Sequence, residues 1–257
     1  MTQTLNRYGR ICAEIYDLDK PVGSLFDGPY YQARLKGLEG PILEAAVGTG
    51  RLMVSLLDAG LDVGGFDHSQ DMLDLCTANA ADHGHAPKLF RARFTDFDAP
   101  GQAAIIVPAS SFTLIDDFDE AMAVLARFHD QLAPGGLLLA DLPPLSFLDA
   151  PSGLRSWTAA NGDLLTLDSR MVRKDVVAQK RLNHDRYERW RDGRLLETEL
   201  ELFAYRVWGV KEFEMALARV GFTDIEVCGN YRVGKPPKAG DGIFNFSARR
   251  PAWSTPR

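Results

Sequence analysis

The sequence predicts an α/β fold: a doubly wound, mostly parallel sheet, with a helical cap before it and an antiparallel insertion after it. Three observations carry that prediction. Between residues 41 and 142 short apolar runs alternate with amphipathic stretches, the pattern of buried parallel strands joined by helices on both faces. Before residue 40 the apolar positions recur at helical spacing. Beyond Pro144 longer stretches alternate with period two, as antiparallel strands do.

Taken in order, Tyr8, Ile11, Cys12, Ile15 and Tyr16 lie on one helical face, broken at Asp19-Lys20-Pro21. A second helix covers 27–37, up to Gly37, Gly40 and Pro41. PILEAAV is strand one, followed by a helix over 50–59. LDVGGFD is strand two, and Ser69 caps the helix after it. KLFRARF and AAIIVP are strands three and four; the helix from Phe118 stops at Pro134-Gly135-Gly136, and GLLLADL is strand five. GDLLTLDSRMV, VVAQKRLNHDRYERW and RLLETELELFAYRVW read as three antiparallel strands, the last two joined by an Asp192-Gly193 turn. A helix over 209–220 ends at Gly221, IEVCGNY and GIFNFSARR are closing strands, PPKAG is a loop, and the tail beyond Arg250 is loose. The expectation is one domain over 1–257, with a lid (1–40), a core (41–142), a roof (160–207) and a closing unit (208–250).

Composition narrows the function. The chain has 257 residues, 46% hydrophobic and 25% charged, with a formal net charge of −6, which is ordinary for a globular protein. No long cluster of Lys and Arg is present, which argues against a nucleic-acid binder. Cys12, Cys76 and Cys228 are too few and too scattered for a disulfide framework or a metal cluster, so a reduced, cytoplasmic setting and no metal are expected. The N-terminus lacks the apolar stretch of a signal peptide, and no run reaches membrane-spanning length.

ILEAAVGTGR, residues 42–51, is where the chemistry concentrates. Glycines at the end of a strand let a ligand approach the backbone where a helix begins. Asp67, ending strand two, can accept the protons of two ribose hydroxyls. The glycine spacing lacks the third glycine of a dinucleotide site, and Glu44 before it would repel a pyrophosphate. A ligand with a ribose and positive charge fits better.

These stretches resemble the class I S-adenosylmethionine-dependent methyltransferases, in the branch that methylates small molecules on nitrogen or oxygen. The resemblance lies in ILEAAVGTGR, GFDHSQDMLDLC and LAPGGLLLADLPP, supported by YGRICAEIYD, Pro29-Tyr30-Tyr31 and ARVGFTDIEVCGNY, and it covers nearly the whole chain. It implies a Rossmann-like fold whose antiparallel insertion roofs the active site, with S-adenosylmethionine as cofactor. It further implies that Glu44 faces the methionine amino group, that Ala45, Gly48, Gly50 and Arg51 form the cofactor turn, and that Asp67 holds the ribose. His68 and Met72 would flank the adenosine, Arg93 and Phe94 the adenine, and Pro108 the methionine part, with Tyr16, Tyr31 and Arg34 closing from the lid. Substrate contacts would come from Tyr8, Ser111, Phe112, Asp141 and Tyr205, and the catalytic candidates are Tyr16, Ser111 and Asp141.

Three positions depart from the pattern. Arg93 stands where relatives often carry an acid near the adenine amine, and an arginine cannot accept that hydrogen bond. A backbone carbonyl, water or Asp96 must then do so. Gln102-Ala103 replaces a frequent Phe-Asp, and Val47 a common Cys. These departures keep two alternatives open: a same-fold enzyme that uses the cofactor for a cyclisation or rearrangement without methyl transfer, and a non-catalytic binding subunit.

Other polar residues have plainer readings. His129 is structural, His83 and His85 are solvated, and Asp116, Asp117 and Asp119 suit a helix N-terminus. Asp141 ends strand five, where it either meets substrate or serves structure. In HDRYERWRDGR the acids interleave with the arginines, so a solvated or dimer surface is expected, and the chain is a monomer or homodimer. Ser110, Ser111 and Thr113 are weak bases, which favours an amine acceptor or an already acidic hydroxyl of a small molecule, with a secondary metabolite as the expected class.

Overall fold

The computed structural model describes residues 5–24 and 26–252. Helices α1 (Arg10–Asp19) and α2 (Gly28–Leu35) precede the first strand. The core then runs β1 (Ile42–Ala45), α3 (Met53–Asp58), β2 (Val63–Asp67), α4 (Gln70–Asp82), β3 (Leu89–Arg91), β4 (Gln102–Val107), α5 (Phe118–Gln131) and β5 (Leu132–Leu142). An antiparallel unit follows: β6 (Leu154–Thr158), β7 (Leu164–Asp175), β8 (Lys180–Arg191) and β9 (Arg194–Arg206). Helix α6 (Val210–Arg219), β10 (Thr223–Gly229) and β11 (Phe244–Arg249) close the chain.

The main sheet has seven strands in the order β10-β11-β5-β4-β1-β2-β3, parallel throughout β5 to β3 and antiparallel at β11. Strand order reverses between β1 and β4, and a sheet of this kind opens a crevice at the carboxyl ends of those strands. One sheet face packs on an aromatic core containing Phe66, Phe97, Phe112, Phe128, Trp208 and Phe213. The other packs on a second core with Tyr31, Leu35, Ile42, Leu52 and Met53.

Local chemistry explains the elements. Ser69 accepts from the Met72 N–H at 3.3 Å to start α4, and Asp117 accepts from the Glu120 N–H at 3.0 Å to start α5. Glu212 reaches back to the Gly209 N–H at 3.1 Å, fixing the first turn of α6. Asp192 and Gly193, at φ of 49° and 74°, make the two-residue turn between β8 and β9 that their residue types predict.

The structure differs from the sequence reading in four places. The roof has four strands, not three: β6 pairs with β7 from Leu154, upstream of the expected start. Its exposed residues carry no clean alternation to betray it. Strand three is cut to Leu89–Arg91, and Phe94 sits in the turn beyond it. Helix α3 starts at Met53, because Gly50 at φ 82° belongs to the turn. Strand β5 begins at Leu132 and runs through Pro134-Gly135-Gly136, so these residues lie within the strand instead of stopping the helix before it. The loose tail expected beyond Arg250 lies mostly outside the described residues.

Candidate active site

The glycine turn is built by backbone geometry. Beyond β1, Ala46, Gly48 and Gly50 all adopt left-handed φ, of 55°, 58° and 82°. A Cβ on Gly48 would approach the Tyr16 ring at 3.5 Å, and one on Gly50 would meet the Cys76 Sγ of α4 at 2.8 Å. The contact at Gly48 is an ordinary one, so its left-handed φ is what calls for glycine there, while Gly50 also lets α4 pack behind the turn.

Asp67 ties this turn to β2. Its Oδ2 accepts from the Gly48 N–H at 3.0 Å and its Oδ1 from the Ser69 N–H at 2.9 Å. His68 Nδ1 lies 3.4 Å from the same carboxylate. Burial works against a charged His68 imidazole, but the hydrogen bond and charge of Asp67 outweigh it and raise its pKa.

A cavity of about 1160 Å³ opens over these groups, slightly above the usual size range of ligand sites. Of the sequence-predicted residues it is lined by Tyr8, Tyr16, Gly48, Asp67, His68, Met72, Arg93, Phe94 and Ser111. Asp96 also lines it, but its Oδ1 accepts from the Arg93 N–H at 2.7 Å and is partly occupied there.

The other predicted residues lie away from the lining. Ala45 and Gly50 form the turn's supporting side, and Pro108 is buried with its carbonyl accepting from the Ser111 hydroxyl at 2.9 Å. Arg51 makes a buried bidentate pair with Asp27, at 3.0 and 2.7 Å. Arg34 does not close over the site. It donates to Ser247 at 2.8 Å and pairs with Glu226, because the last turn of α2 leans on the closing strands. Tyr31 is fully buried. Phe112 is fully buried too: its short turn drives the ring inward against Phe213, Trp208 and Phe128, so it does not reach a substrate. Tyr205 stacks on Phe203 and meets Phe147 edge-on, on the roof's inner face. Asp141 is fully enclosed, with its oxygens taken by neighbouring donors, so neither catalysis nor substrate contact falls to it here.

Every residue of Leu5–Arg10 lines the cavity, and of these sequence reasoning named only Tyr8 as a site residue. Asn6 and Tyr8 are left-handed there, at φ of 51° and 54°. Asn6 is held by Leu114 and Ala204, and the Tyr8 carbonyl accepts from the Ser69 hydroxyl at 2.6 Å. Asn6 was the available sequence signal for such backbone, and Tyr8 carries none.

The residues present fit S-adenosylmethionine. The Asp67 carboxylate at a strand end suits vicinal hydroxyls, and the glycine turn offers close backbone approach. Beneath the turn, Glu44 is buried with Oε2 lacking any hydrogen-bond partner. Burial pushes its carboxyl up to about 8, opposed by the Arg51 charge. An orphaned buried acid of this kind suits a cationic ligand group. Among the described residues no cluster of His, Cys, Asp and Glu could hold a metal ion, and no helix is long and apolar enough to cross a membrane.

Comparison with known proteins agrees with this geometry. Residues 42–136 match the family model described as a methyltransferase domain. Over 103 residues the chain is 37% identical to glycine/sarcosine N-methyltransferase of Halorhodospira halochloris, a match that takes in 39% of this chain and 38% of that protein. It thus spans well under half the length of that curated relative. Among solved structures, the CcbJ methyltransferase of Streptomyces caelestis superposes with a TM-score of 0.75 at 21% identity, covering 95% of this chain and 98% of that one. The sugar N-methyltransferase KedS8 of a Streptoalloteichus species superposes with a TM-score of 0.71, also at 21% identity, covering 98% of each chain. Both share the Rossmann-like fold of this chain.

Proposed function

We propose that this chain, whose residues 42–136 match the family model of a methyltransferase domain, uses S-adenosylmethionine to methylate a nitrogen of a small-molecule acceptor. The observation that carries the reading is the joining of Asp67 and Gly48 at the base of the cavity, a ribose-binding acid held against a glycine turn. When bound, the cofactor supplies an activated methyl group on a sulfonium. The protein's part is to hold the acceptor close and aligned.

Nitrogen is favoured by what lines the cavity. A hydroxyl acceptor needs a base. His68 is engaged with Asp67, the Ser111 hydroxyl donates to Pro108, and burial raises the Tyr16 phenol. An amine that arrives unprotonated needs none of them. The name of the H. halochloris relative, a glycine/sarcosine N-methyltransferase, supports the same choice. In this reading Tyr16 and Ser111 border the transfer, and Tyr8 borders the acceptor. The chain works as one unit, monomeric or homodimeric, without nucleic acid. Three buried unpaired cysteines support a reduced, cytoplasmic setting.

Calorimetric titration with S-adenosylhomocysteine, followed by a mass-read screen of small amines, tests the reading. Micromolar binding, about −8 kcal/mol, and a product heavier by one CH₂ support it. An altered product of unchanged mass would move the function to rearrangement. No binding by the purified protein would overturn the cofactor assignment.

A further inference from the structure

We propose that Asp141 is a positioning residue for the cofactor cavity: from behind the sheet edge it holds the two left-handed residues Ala109 and Ser110, and through them Ser111, in the geometry that binding requires. The proposal rests on the cofactor reading above for its functional half; its structural half stands independently.

Asp141 ends β5 and is fully buried, an unusual place for a carboxylate. Every hydrogen bond it makes is accepted. Oδ1 accepts from Asn245 Nδ2 at 2.7 Å; Oδ2 accepts from the Tyr231 hydroxyl at 3.0 Å and the Ala109 N–H at 3.2 Å. The Tyr31 hydroxyl, buried and with no hydrogen bond of good geometry, faces the same carboxylate from α2. Asn245 cannot turn its amide round to serve a neutral partner, because its Oδ1 already accepts from the Tyr231 N–H at 2.6 Å. Asn245 Nδ2 and the Ala109 N–H can only donate, one to each oxygen, while the two phenols can also accept; an ionised carboxylate, whose two oxygens both accept, satisfies both fixed donors. An amide in the same place sets its NH2 against one of those two fixed donors, and a proton on either oxygen takes away part of its accepting capacity.

The strained partner lies at the end of β4. Ala109 and Ser110 stand at φ of 54° and 64°, consecutive non-glycine residues in the left-handed region. Inside this segment the Ser111 N–H and hydroxyl return to the Pro108 carbonyl, and the Thr113 hydroxyl returns to the Ser110 carbonyl at 2.7 Å. Those bonds tighten the turn on itself. The Ala109 N–H alone is anchored to another strand, and its anchor is Asp141. Ser111, directly after the pair, lines the cavity. Asp141 does not, which makes it a support and not a catalyst.

The charged and titratable groups facing Asp141 are few. Tyr31 and Tyr30 come from α2, Cys228 from β10 and Tyr231 from the loop after β10, while Asn245 of β11 is not titratable. The Arg51–Asp27 pair reaches Tyr231 but is internally balanced. Burial raises the Asp141 carboxyl to about 6 against the pull of its donors. Acidification through that range puts a proton on one carboxylate oxygen and weakens it as an acceptor.

The test compares wild type, Asp141→Asn and Tyr231→Phe by amide hydrogen exchange and by S-adenosylhomocysteine titration between about pH 5.5 and 8. In Asp141→Asn, exchange in residues 109–113 should quicken by about tenfold or more while β1 and β2 keep their protection, and affinity should fall by about tenfold. Tyr231→Phe removes one donor, so its loss should be smaller and should grow on acidification. A folded Asp141→Asn protein with exchange and affinity within about twofold of wild type would overturn the proposal. Should Asp141→Asn not fold, a Tyr231→Phe protein unchanged in both readouts at every pH would overturn it equally. Should the wild type not bind S-adenosylhomocysteine, the proposed function fails. Exchange in 109–113 then still decides whether Asp141 holds the turn.

Discussion

The Asp67 carboxylate accepts from the Gly48 backbone N–H at 3.0 Å, so the acid at the end of β2 and the glycine turn after β1 form one device. The acid proposed to bind the ribose is thereby aimed before any ligand arrives, and the turn is braced by the same group. Asp67→Ala should lose both functions. The bonds it gives up are to a charged acceptor, worth about 1.5–3 kcal/mol each. Calorimetry should show S-adenosylhomocysteine affinity reduced by at least about tenfold, and thermal melting a smaller loss of stability from the freed Gly48 N–H. Asp67→Asn, which keeps one accepting oxygen, should fall between.

Gly50 is required by packing as well as by backbone. Gly84 has nearly the same φ, 80° against 82°, but open space where a Cβ would point. Gly84→Ala should therefore cost only the left-handed strain, about 1–2 kcal/mol. Gly50→Ala adds the 2.8 Å clash with Cys76 Sγ, and overpacking costs about 1–3 kcal/mol more. Denaturant melts of the two variants check the difference. Combining Gly50→Ala with Cys76→Ala should recover part of the clash and none of the strain, a coupling that independent sites would not show.

What the sequence made legible was whatever depends on residue type at a strand end. Gly48, Asp67, His68 and Met72 could be placed at one crevice because the strand–helix repeat puts successive strand ends on one edge. The misplaced residues fail for reasons that spacing does not record. Phe112 and Ser111 are neighbours, yet a single short turn sends the serine to the cavity and the phenylalanine into the core. Arg34 is on the expected helix, but that helix leans on the closing strands, a tertiary fact. Asp141 stands at the correct edge, and only the donors around it show that it faces inward.

Glu44 sets a pH dependence of stability. Its carboxyl is raised to about 8 in the folded protein, from an ordinary value of 4.5. Between those values the folded chain holds a proton that the unfolded chain has released, so its contribution to stability falls as pH rises through that window. Wild-type melting temperature should therefore decline from about pH 5 to 8 more steeply than that of Glu44→Gln, which cannot titrate. A cationic ligand group near this acid favours its ionised form, so binding of S-adenosylhomocysteine near neutral pH should release protons. Titrations in buffers of different ionisation enthalpy read that release directly, and it should be absent in Glu44→Gln.

Glu201 holds the backbone that enters a helix to which it does not belong, and Glu199 receives that helix's Ile11 N–H. Gly9, at the N-terminus of α1, has no side chain to receive the helix N–H groups. From β9, Glu201 accepts from the Tyr8 N–H at 2.9 Å and the Gly9 N–H at 2.6 Å, and it pairs with Arg7. Glu199, two residues earlier on the same face, accepts from the Ile11 N–H at 3.2 Å. A carboxylate at a helix N-terminus is favoured both by the free donors and by the macrodipole. Here it also pins the Leu5–Arg10 segment, whose residues wall the cavity. Glu201→Gln keeps the shape and one accepting oxygen but loses the charge, so it should destabilise the fold by about 1–2 kcal/mol. The functional effect should be larger on rates than on stability. With the segment less firmly seated, S-adenosylhomocysteine should dissociate several-fold faster while its association rate changes little, because most affinity changes at one interface fall on dissociation. Stopped-flow displacement measures both. An unchanged dissociation rate in a variant that melts early would confine Glu201 to holding the entry into α1 and remove it from control of the cavity wall.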